Sequence, residues 1–185
     1  MRRYLVLALC LAAAGSAGSP SPGWQQLAAA NLDVQLSNQQ GRPVTFYRDM
    51  VQGRTTVVNF IFTNCTTVCP MLTAQFRQLK EETAKMNIHD VQLVSVSVDP
   101  ERDSAAALAH FAAESKAGWT FLTGSEADVK KLLDAFHLPL TQREGHTSRF
   151  VVANGSSGLW TSVDGFSEVK EIVSLVEEAR RQRGH

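Results

Sequence analysis

The segment TTVVNFIF, at residues 55–62, is almost continuously apolar and rich in β-branched residues. Such a run is typical of a strand that is buried on both faces, because a strand with one wet face alternates apolar and polar residues. A second run of this kind, VQLVSVSV, occupies residues 91–98. We therefore expect a sheet that helices cover on both sides, which is the architecture of an α/β domain.

Amphipathic segments lie between and after these runs. After Pro70, which suits the first turn of a helix, apolar residues recur on one helical face, namely Leu72, Phe76, Leu79 and Met86. Further helices are predicted over 104–115, from a capping box formed by Ser125 and Asp128, and from Ser167 onward.

The remaining extended segments complete the order of elements. DVQLSNQQGRPVTF (33–46) predicts a β-hairpin, WTFLTG (119–124) a short strand, and TSRFVVAN with LWTSVDG a pair of strands joined at GSSG. The order is then hairpin, β-α-β-α-(β)-α-β-β-α, without an internal repeat. We interpret it as a thioredoxin-like fold with an N-terminal β-hairpin and an inserted strand and helix.

The first residues have the composition of a secretory signal peptide. Arg2 and Arg3 precede an apolar run from Tyr4 to Ala14, which is followed by the small residues GSAGS. The run is shorter than the roughly 20 residues that span a bilayer, so we expect cleavage near residues 17–19, with a retained anchor as the alternative. The predicted organisation is a signal peptide (1–19), a tether (20–32), one domain (33–181) and a frayed tail (182–185).

Charge and cysteine content restrict the function. Loss of Arg2 and Arg3 with the leader takes the formal net charge from 0 to −2, which argues against nucleic acid as a partner. Cys10 also lies in the leader, so the mature chain keeps Cys65 and Cys69. Two cysteines within one short motif cannot form the disulfide framework that stabilises a small exported domain, so they either have a function or close a very short loop.

The motif TNCTTVCPM (63–71) follows the first long strand directly and enters a helix. Active groups in α/β proteins gather at the carboxyl ends of strands, and a helix N-terminus favours a thiolate. Two thiolates four residues apart can close a disulfide or bind one soft metal ion, and a pair of inert buried thiols is the third interpretation. Three intervening residues, against two in common redox motifs, favour the metal.

A metal site with two thiolates needs a third ligand, and His146 is the candidate. It stands directly before the penultimate strand, on the loop that is predicted to meet the cysteine motif, although a surface-loop residue is the alternative. Two thiolates and an imidazole suit copper better than zinc, which would need an added water. Met71 is a soft donor that we expect to point into the core. The remaining histidines have ordinary structural explanations: His89, His110, His137 and His185.

Four motifs, in this order and spacing, resemble the Sco/SenC family of copper chaperones of cytochrome c oxidase assembly. They are FIFTNCTTVCP, VSVDPERD, WTFLTG and GHTSRFVV. The resemblance implies a thioredoxin-like fold that binds one copper ion, as Cu(I) or Cu(II), through Cys65, Cys69 and His146. It also makes Asp99 a candidate for a residue that contacts these ligands without binding the metal itself.

The same resemblance implies an exported protein, either periplasmic or attached to the membrane and facing the periplasm. The implied acceptor is the dinuclear copper site of cytochrome c oxidase subunit II, with a thiol reductant and another copper donor as further partners. The sequence departs from the family pattern in two places. Thr66 and Thr67 replace a common Pro-Asp, and Gly145 replaces the aspartate that precedes the histidine.

Four functions compete at this stage. A copper metallochaperone, which is not an enzyme, is the first. A thiol–disulfide oxidoreductase is the second, with Cys65 attacking a partner disulfide and Cys69 resolving the mixed intermediate. A peroxidase would need an activating arginine beside the motif, where the sequence has none. A copper sensor or redox signalling module would bind the metal without delivering it.

Overall fold

The computed structural model describes residues 23–138 and 148–182. Short elements come first and the long strands and helices follow, with a π-helical turn, Phe46–Val51, after the third strand. The strands are β1 (Gln25–Gln26), β2 (Gln35–Asn38), β3 (Pro43–Thr45), β4 (Thr55–Ile61), β5 (Val91–Ser97), β6 (Thr120–Gly124), β7 (Arg149–Asn154) and β8 (Leu159–Asp164). The helices are α1 (Ala29–Leu32), α2 (Val68–Lys85), α3 (Ala105–Glu114), α4 (Glu126–Ala135) and α5 (Val169–Arg181).

Within the described ranges, the strands form one sheet in the order β1-β8-β7-β4-β5-β6-β2-β3. Strands β4, β5 and β6 are parallel, and the other neighbouring strands are antiparallel. Every residue of β4, from Thr55 to Ile61, is buried. The prediction of a central strand covered on both faces is therefore confirmed, and so is the α/β fold class.

Two apolar clusters fill the space on the two sides of the sheet. One side packs α2, α3 and α5 against the sheet, with the rings of Phe76 and Phe150 stacked at 5.5 Å between centroids. On the other side lie α1, α4 and the π-helical turn, where Phe136 meets Phe46 and Trp160 edge to face. The last helix, predicted from Ser167 onward, buries an apolar stripe in the first cluster: Val169, Ile172, Val173 and Val176.

The predicted N-terminal hairpin is present as β2 and β3. Asn38 turns the chain, because its Oδ1 accepts the backbone N–H groups of Gln40 and Arg42 at 3.0 Å each. Gly41 has a φ of +73°, in the left-handed region that glycine tolerates best. Strand β2 then pairs with β6 and attaches the hairpin to the edge of the parallel strands.

Residues 24–32 differ from the predicted tether. Strand β1 pairs with β8, and Trp24 and Leu32 are buried at 6% and 1% exposure. The domain therefore begins near Trp24 instead of at residue 33. Met86, predicted on the buried face of α2, is 43% exposed because the helix ends at Lys85.

No helix of the described ranges is long and apolar enough to cross a membrane. The leader predicted at residues 1–19 lies outside these ranges, as do residues 183–185 of the predicted tail. Helix α5 itself continues to Arg181.

Candidate metal centre

Cys65 and Cys69 lie at the carboxyl end of β4. The strand ends at Ile61, a turn carries Cys65, and Cys69 is the second residue of α2. Pro70 falls in the first helical turn, where its missing N–H removes no helical hydrogen bond. The expected placement, a strand end leading into a helix N-terminus, is therefore what the structure shows.

The two sulfurs differ in their surroundings. The backbone N–H of Cys69 donates to Cys65 Sγ at 3.2 Å, while Thr67, at the N-cap of α2, makes no capping bond with its side chain. Cys65 Sγ thus takes the position of a capping acceptor at the positive end of the helix. Cys65 retains 7% exposure and Cys69 none, and no disulfide joins the two in this part of the structure.

These surroundings move the two thiol pKa values apart. Burial raises the pKa of Cys65, but hydrogen bonds from the Cys69 thiol and from the backbone N–H groups of Cys69, Thr67 and Val68 outweigh it, so the net pKa is lowered. For Cys69, burial first and the hydrogen bond to Cys65 second raise the pKa to about 12. Cys65 is therefore the thiol that forms an anion more readily, and Cys69 holds its proton.

A buried carboxylate that the sequence analysis did not select lies behind the cysteine turn. Asp103 is 1% exposed and accepts hydrogen bonds from Thr63 N (3.0 Å), Thr63 Oγ1 (2.6 Å) and Ser97 Oγ (2.6 Å). Thr63 lies two residues before Cys65, so the carboxylate holds the start of that turn. The VSVDPERD motif contains this residue as its last letter, but burial of one of its two aspartates is not readable from spacing.

Asp99, the predicted supporting residue, lies at the same end of the sheet. Its exposure is 8%, its N–H donates to Ser97 Oγ at 3.1 Å, and its carboxylate is 3.6 Å from Arg102 Nη1. Its carbonyl accepts the N–H groups of Arg102 and Asp103. These contacts build the turn that directs Asp103 inward, and the support of the ligands by Asp99 stays a prediction.

The histidines of the described ranges are on the surface, away from the cysteines in sequence. His89 is exposed, His110 is 3.3 Å from Glu114 on the surface of α3, and exposed His137 packs edge-on against Trp160. No group of three His, Cys, Asp or Glu side chains within 23–138 and 148–182 could hold a metal ion. His146 and His185 lie outside these ranges, so the third ligand stays a prediction.

Ser148 is the first described residue after His146. Its carbonyl accepts the N–H of Gly165 at 2.6 Å. A Cβ added to Gly165 would lie 2.7 Å from Leu72 Cδ2 and 2.9 Å from Ser148 O, so three chain segments meet closely here. Leu72 lies one helical turn after Cys69. Ser148, where the described chain resumes, therefore lies beside the first turns of α2.

Met71 differs from its prediction. Its side chain, expected in the core, is 45% exposed. Neighbouring Leu72 faces the core at 1% exposure, and successive helical residues point about 100° apart. A soft sulfur donor is thus exposed beside the cysteine turn.

The donor set fits a soft metal ion. Cys65 lies in the turn before α2 and Cys69 in the first turn of that helix. Of the two, Cys65 keeps 7% exposure to solvent and Cys69 has none. Sulfur ligands suit Cu(I), and an added imidazole also suits Cu(II). Two sulfurs alone leave the coordination open, and no described His, Cys, Asp or Glu completes a group of three with them.

Comparison with known proteins identifies the family. The SCO1/SenC family model matches residues 25–180. The SCO1 protein homolog of Bacillus subtilis is 33% identical over 156 residues, which cover 78% of this chain and 79% of that protein.

Solved structures have the same fold. The structure of BsSco, described as a member of the Sco family of cytochrome c oxidase assembly proteins with a disulfide switch, is 32% identical with a TM-score of 0.67, and the match covers 78% of this chain and 90% of that one. Copper-bound ScoI of Arabidopsis thaliana has a TM-score of 0.70 at 22% identity, covering 80% and 96%, and shows the shared fold. The chain belongs to the SCO1/SenC family.

Proposed function

We propose that this protein is a copper metallochaperone. It binds one copper ion through Cys65, Cys69 and His146 and supports assembly of the dinuclear copper site of cytochrome c oxidase subunit II. One observation carries the proposal: Cys65 Sγ sits at the N-terminus of α2, 3.2 Å from the N–H of Cys69, in a chain of the SCO1/SenC family. A family neighbour with the same fold is known in a copper-bound form.

The position of Ser148 supports His146 as the third ligand. His146 stands two residues before Ser148 in the sequence, and two residues span at most about 7 Å of extended chain. Ser148 is itself fixed to Gly165, which packs against Leu72. The described chain thus resumes, two residues after His146, beside the first turns of α2, whereas the described histidines are exposed elsewhere on the domain.

The two thiols suit transfer of a cargo ion instead of permanent storage. Cys65 keeps 7% exposure whereas Cys69 has none, so an acceptor sulfur would reach the site from the side of Cys65. Both thiols must be reduced and able to lose their protons when they hold the ion, which makes loading depend on redox state and pH. A thiol reductant is consequently part of the proposal, with another protein as the copper donor.

A second function, thiol–disulfide exchange, has its own support. The lowered pKa of Cys65 and the raised pKa of Cys69 match an attacking thiol and a resolving thiol. Cys65 thiolate would attack a partner disulfide and release one partner thiol. Cys69 would then attack Cys65 Sγ and release the second, leaving the partner reduced and a Cys65–Cys69 disulfide for an external reductant. BsSco, a 32% identical relative, is described as having a disulfide switch.

The location of the protein is also a proposal. Arg2, Arg3 and the following apolar run favour export, so we place the domain in the periplasm, either released or attached to the membrane. Nucleic acid is not among the proposed partners.

Anaerobic titration of the reduced protein with Cu(I) and Cu(II) tests the copper site. We expect one copper per chain and a thiolate-to-Cu(II) absorption band, with Cu(II) binding weakened about tenfold or more in His146→Ala. His89→Ala is the matched control, because this histidine is exposed and away from the cysteines. Equal affinity of the wild type and His146→Ala would refute the three-ligand site. Absence of stable copper, with a cycling Cys65–Cys69 disulfide, would favour the second function.

A further inference from the structure

We propose that Asp103 is a positioning residue for the cysteine pair. Its buried carboxylate fixes the turn that carries Cys65 and ties this turn to the segment after β5. The inference rests on the proposed function only in taking Cys65 and Cys69 as the working groups, and it holds for either copper binding or disulfide exchange.

The contacts of Asp103 converge on one short segment. Oδ2 accepts Thr63 N at 3.0 Å and Ser97 Oγ at 2.6 Å, and Oδ1 accepts Thr63 Oγ1 at 2.6 Å. Both the backbone and the side chain of Thr63 are thereby held by one carboxylate. Since the carboxylate is 1% exposed, water does not compete for these bonds as it would at the surface.

Thr63 lies inside the turn that positions Cys65. The N–H of Cys65 donates to Phe62 O at 3.3 Å, which encloses Thr63 and Asn64 within that turn. Cys69 belongs to the first turn of an 18-residue helix, and its N–H donates to Cys65 Sγ. The separation of the two sulfurs therefore depends on how firmly the turn before the helix is held, and Asp103 accepts two hydrogen bonds from Thr63 in that turn.

Asp103 also connects this turn to the neighbouring loop. Ser97 Oγ donates to Asp103 and accepts the N–H of Asp99, and the N–H of Asp103 donates to Asp99 O at 2.9 Å. Strands β4 and β5 are parallel neighbours, so their carboxyl ends are adjacent. Beyond the last residue pair of the ladder, Val98 N–H donates to Ile61 O at 2.9 Å. A displacement of either loop is thus resisted by the other.

The consequence is measurable without copper. Oxidised glutathione converts the two thiols to a Cys65–Cys69 disulfide, and its two halves leave as two molecules of reduced glutathione, so electrons and protons balance. Firmly held sulfurs give a high effective concentration for this ring closure. Loosening the turn lowers it, so the dithiol becomes favoured over the disulfide.

The test compares purified wild type with Asp103→Asn in glutathione redox buffers, with the disulfide fraction read by mass spectrometry after acid quench and alkylation. We expect the disulfide equilibrium constant to fall about fivefold to tenfold, which is the net contribution of an ordinary hydrogen bond. Asp49→Asn is the control for removal of a carboxylate away from the cysteines, although its side chain is 39% exposed. Asp49 also accepts a backbone N–H, from Thr45 at 2.7 Å, but it lies near the opposite end of β4. The disulfide equilibrium constant of Asp49→Asn should equal that of the wild type.

Thr63 variants test the same contact from the other side and remain useful if Asp103→Asn does not fold. Thr63→Val removes the hydroxyl that donates to Asp103 and should lower the equilibrium constant, whereas Thr63→Ser keeps the hydroxyl and should restore the wild-type value. In the Asp103→Asn background, Thr63→Val should add nothing, because the two residues act through one contact.

Other outcomes overturn the inference. An unchanged equilibrium constant in a folded Asp103→Asn or Thr63→Val protein means that Asp103 only stabilises the fold. Equal shifts in Asp103→Asn and Asp49→Asn mean the same. A wild type that binds no copper, combined with a shifted equilibrium in Asp103→Asn, would refute the proposed chaperone function and leave this inference standing.

Discussion

Gly165→Ala tests whether the chain that carries His146 is held against α2. The added Cβ would lie 2.7 Å from Leu72 Cδ2, 2.9 Å from Ser148 O and 3.0 Å from Ser148 C, whereas ordinary contact begins at 3.4 Å. Leu72 is 1% exposed, so its methyl group has no free space to enter. Ser148 must therefore move by about half an ångström or more, against a hydrogen bond of 2.6 Å to Gly165 N.

The expected cost is an overpacking penalty of about 1–3 kcal/mol in the free energy of unfolding. Because Ser148 is two residues from His146, the displacement should also weaken Cu(II) binding, by about tenfold, as for a lost group that orients a ligand. Urea unfolding of the apoprotein measures the first quantity, and competition with a Cu(II) chelator measures the second.

Gly155→Ala provides the control. A Cβ there would clash with the backbone carbonyl of Val51, so the variant is also overpacked, but Gly155 follows the opposite end of β7. We expect a loss of stability with unchanged copper affinity. Unchanged copper affinity in a destabilised Gly165→Ala protein would count against His146 as a ligand whose chain is positioned through Ser148.

Three further predictions concern the neighbours of the site and its thiols. Met71→Ala should lower the free energy of unfolding by less than about 0.5 kcal/mol and Leu72→Ala by about 2–5 kcal/mol, because only Leu72 is buried. Urea unfolding measures both values, and a large loss of stability in Met71→Ala would contradict the exposure of Met71. Cys65 should be alkylated by iodoacetamide at lower pH than Cys69, since its pKa is lowered and that of Cys69 is raised to about 12. The raised pKa means that the folded state keeps a proton that the unfolded state loses, so stability conferred by Cys69 is complete below pH 9.0 and declines as pH rises towards about 12. Cys69→Ser should remove this decline, which parallel urea titrations from pH 8 to 11 would detect; identical slopes would contradict it.

Much of the fold was predictable because its central elements are encoded locally. The β4 and β5 runs are apolar enough to require burial on both faces, and the Ser125 capping box starts α4 where expected, with Ser125 Oγ accepting Asp128 N at 3.1 Å. The position of the cysteines follows from the same reasoning, since a buried strand that leads into a helix places the connecting residues at the carboxyl end of the sheet.

The errors arose where burial depends on partners distant in sequence. Trp24 belongs to the core because β1 pairs with β8, and Gly23 O accepts Thr161 Oγ1 from 138 residues away. Asp103 is buried because Thr63 and Ser97 surround it, and local sequence gave no reason to prefer it over Asp99. Met71 and Met86 were misplaced for a local reason: one is a neighbour of the buried stripe of α2, and the other follows the helix end.

The central claim is delivery of copper. The most direct test mixes copper-loaded protein with the apo, reduced copper-binding domain of oxidase subunit II and records the absorption of the dinuclear copper site. We expect wild type to restore that absorption, and expect Cys65→Ser and Cys69→Ser, which cannot complete the site, to leave the acceptor empty. A wild-type protein that binds copper tightly but does not restore the acceptor would contradict the chaperone function and leave a copper sensor or redox module.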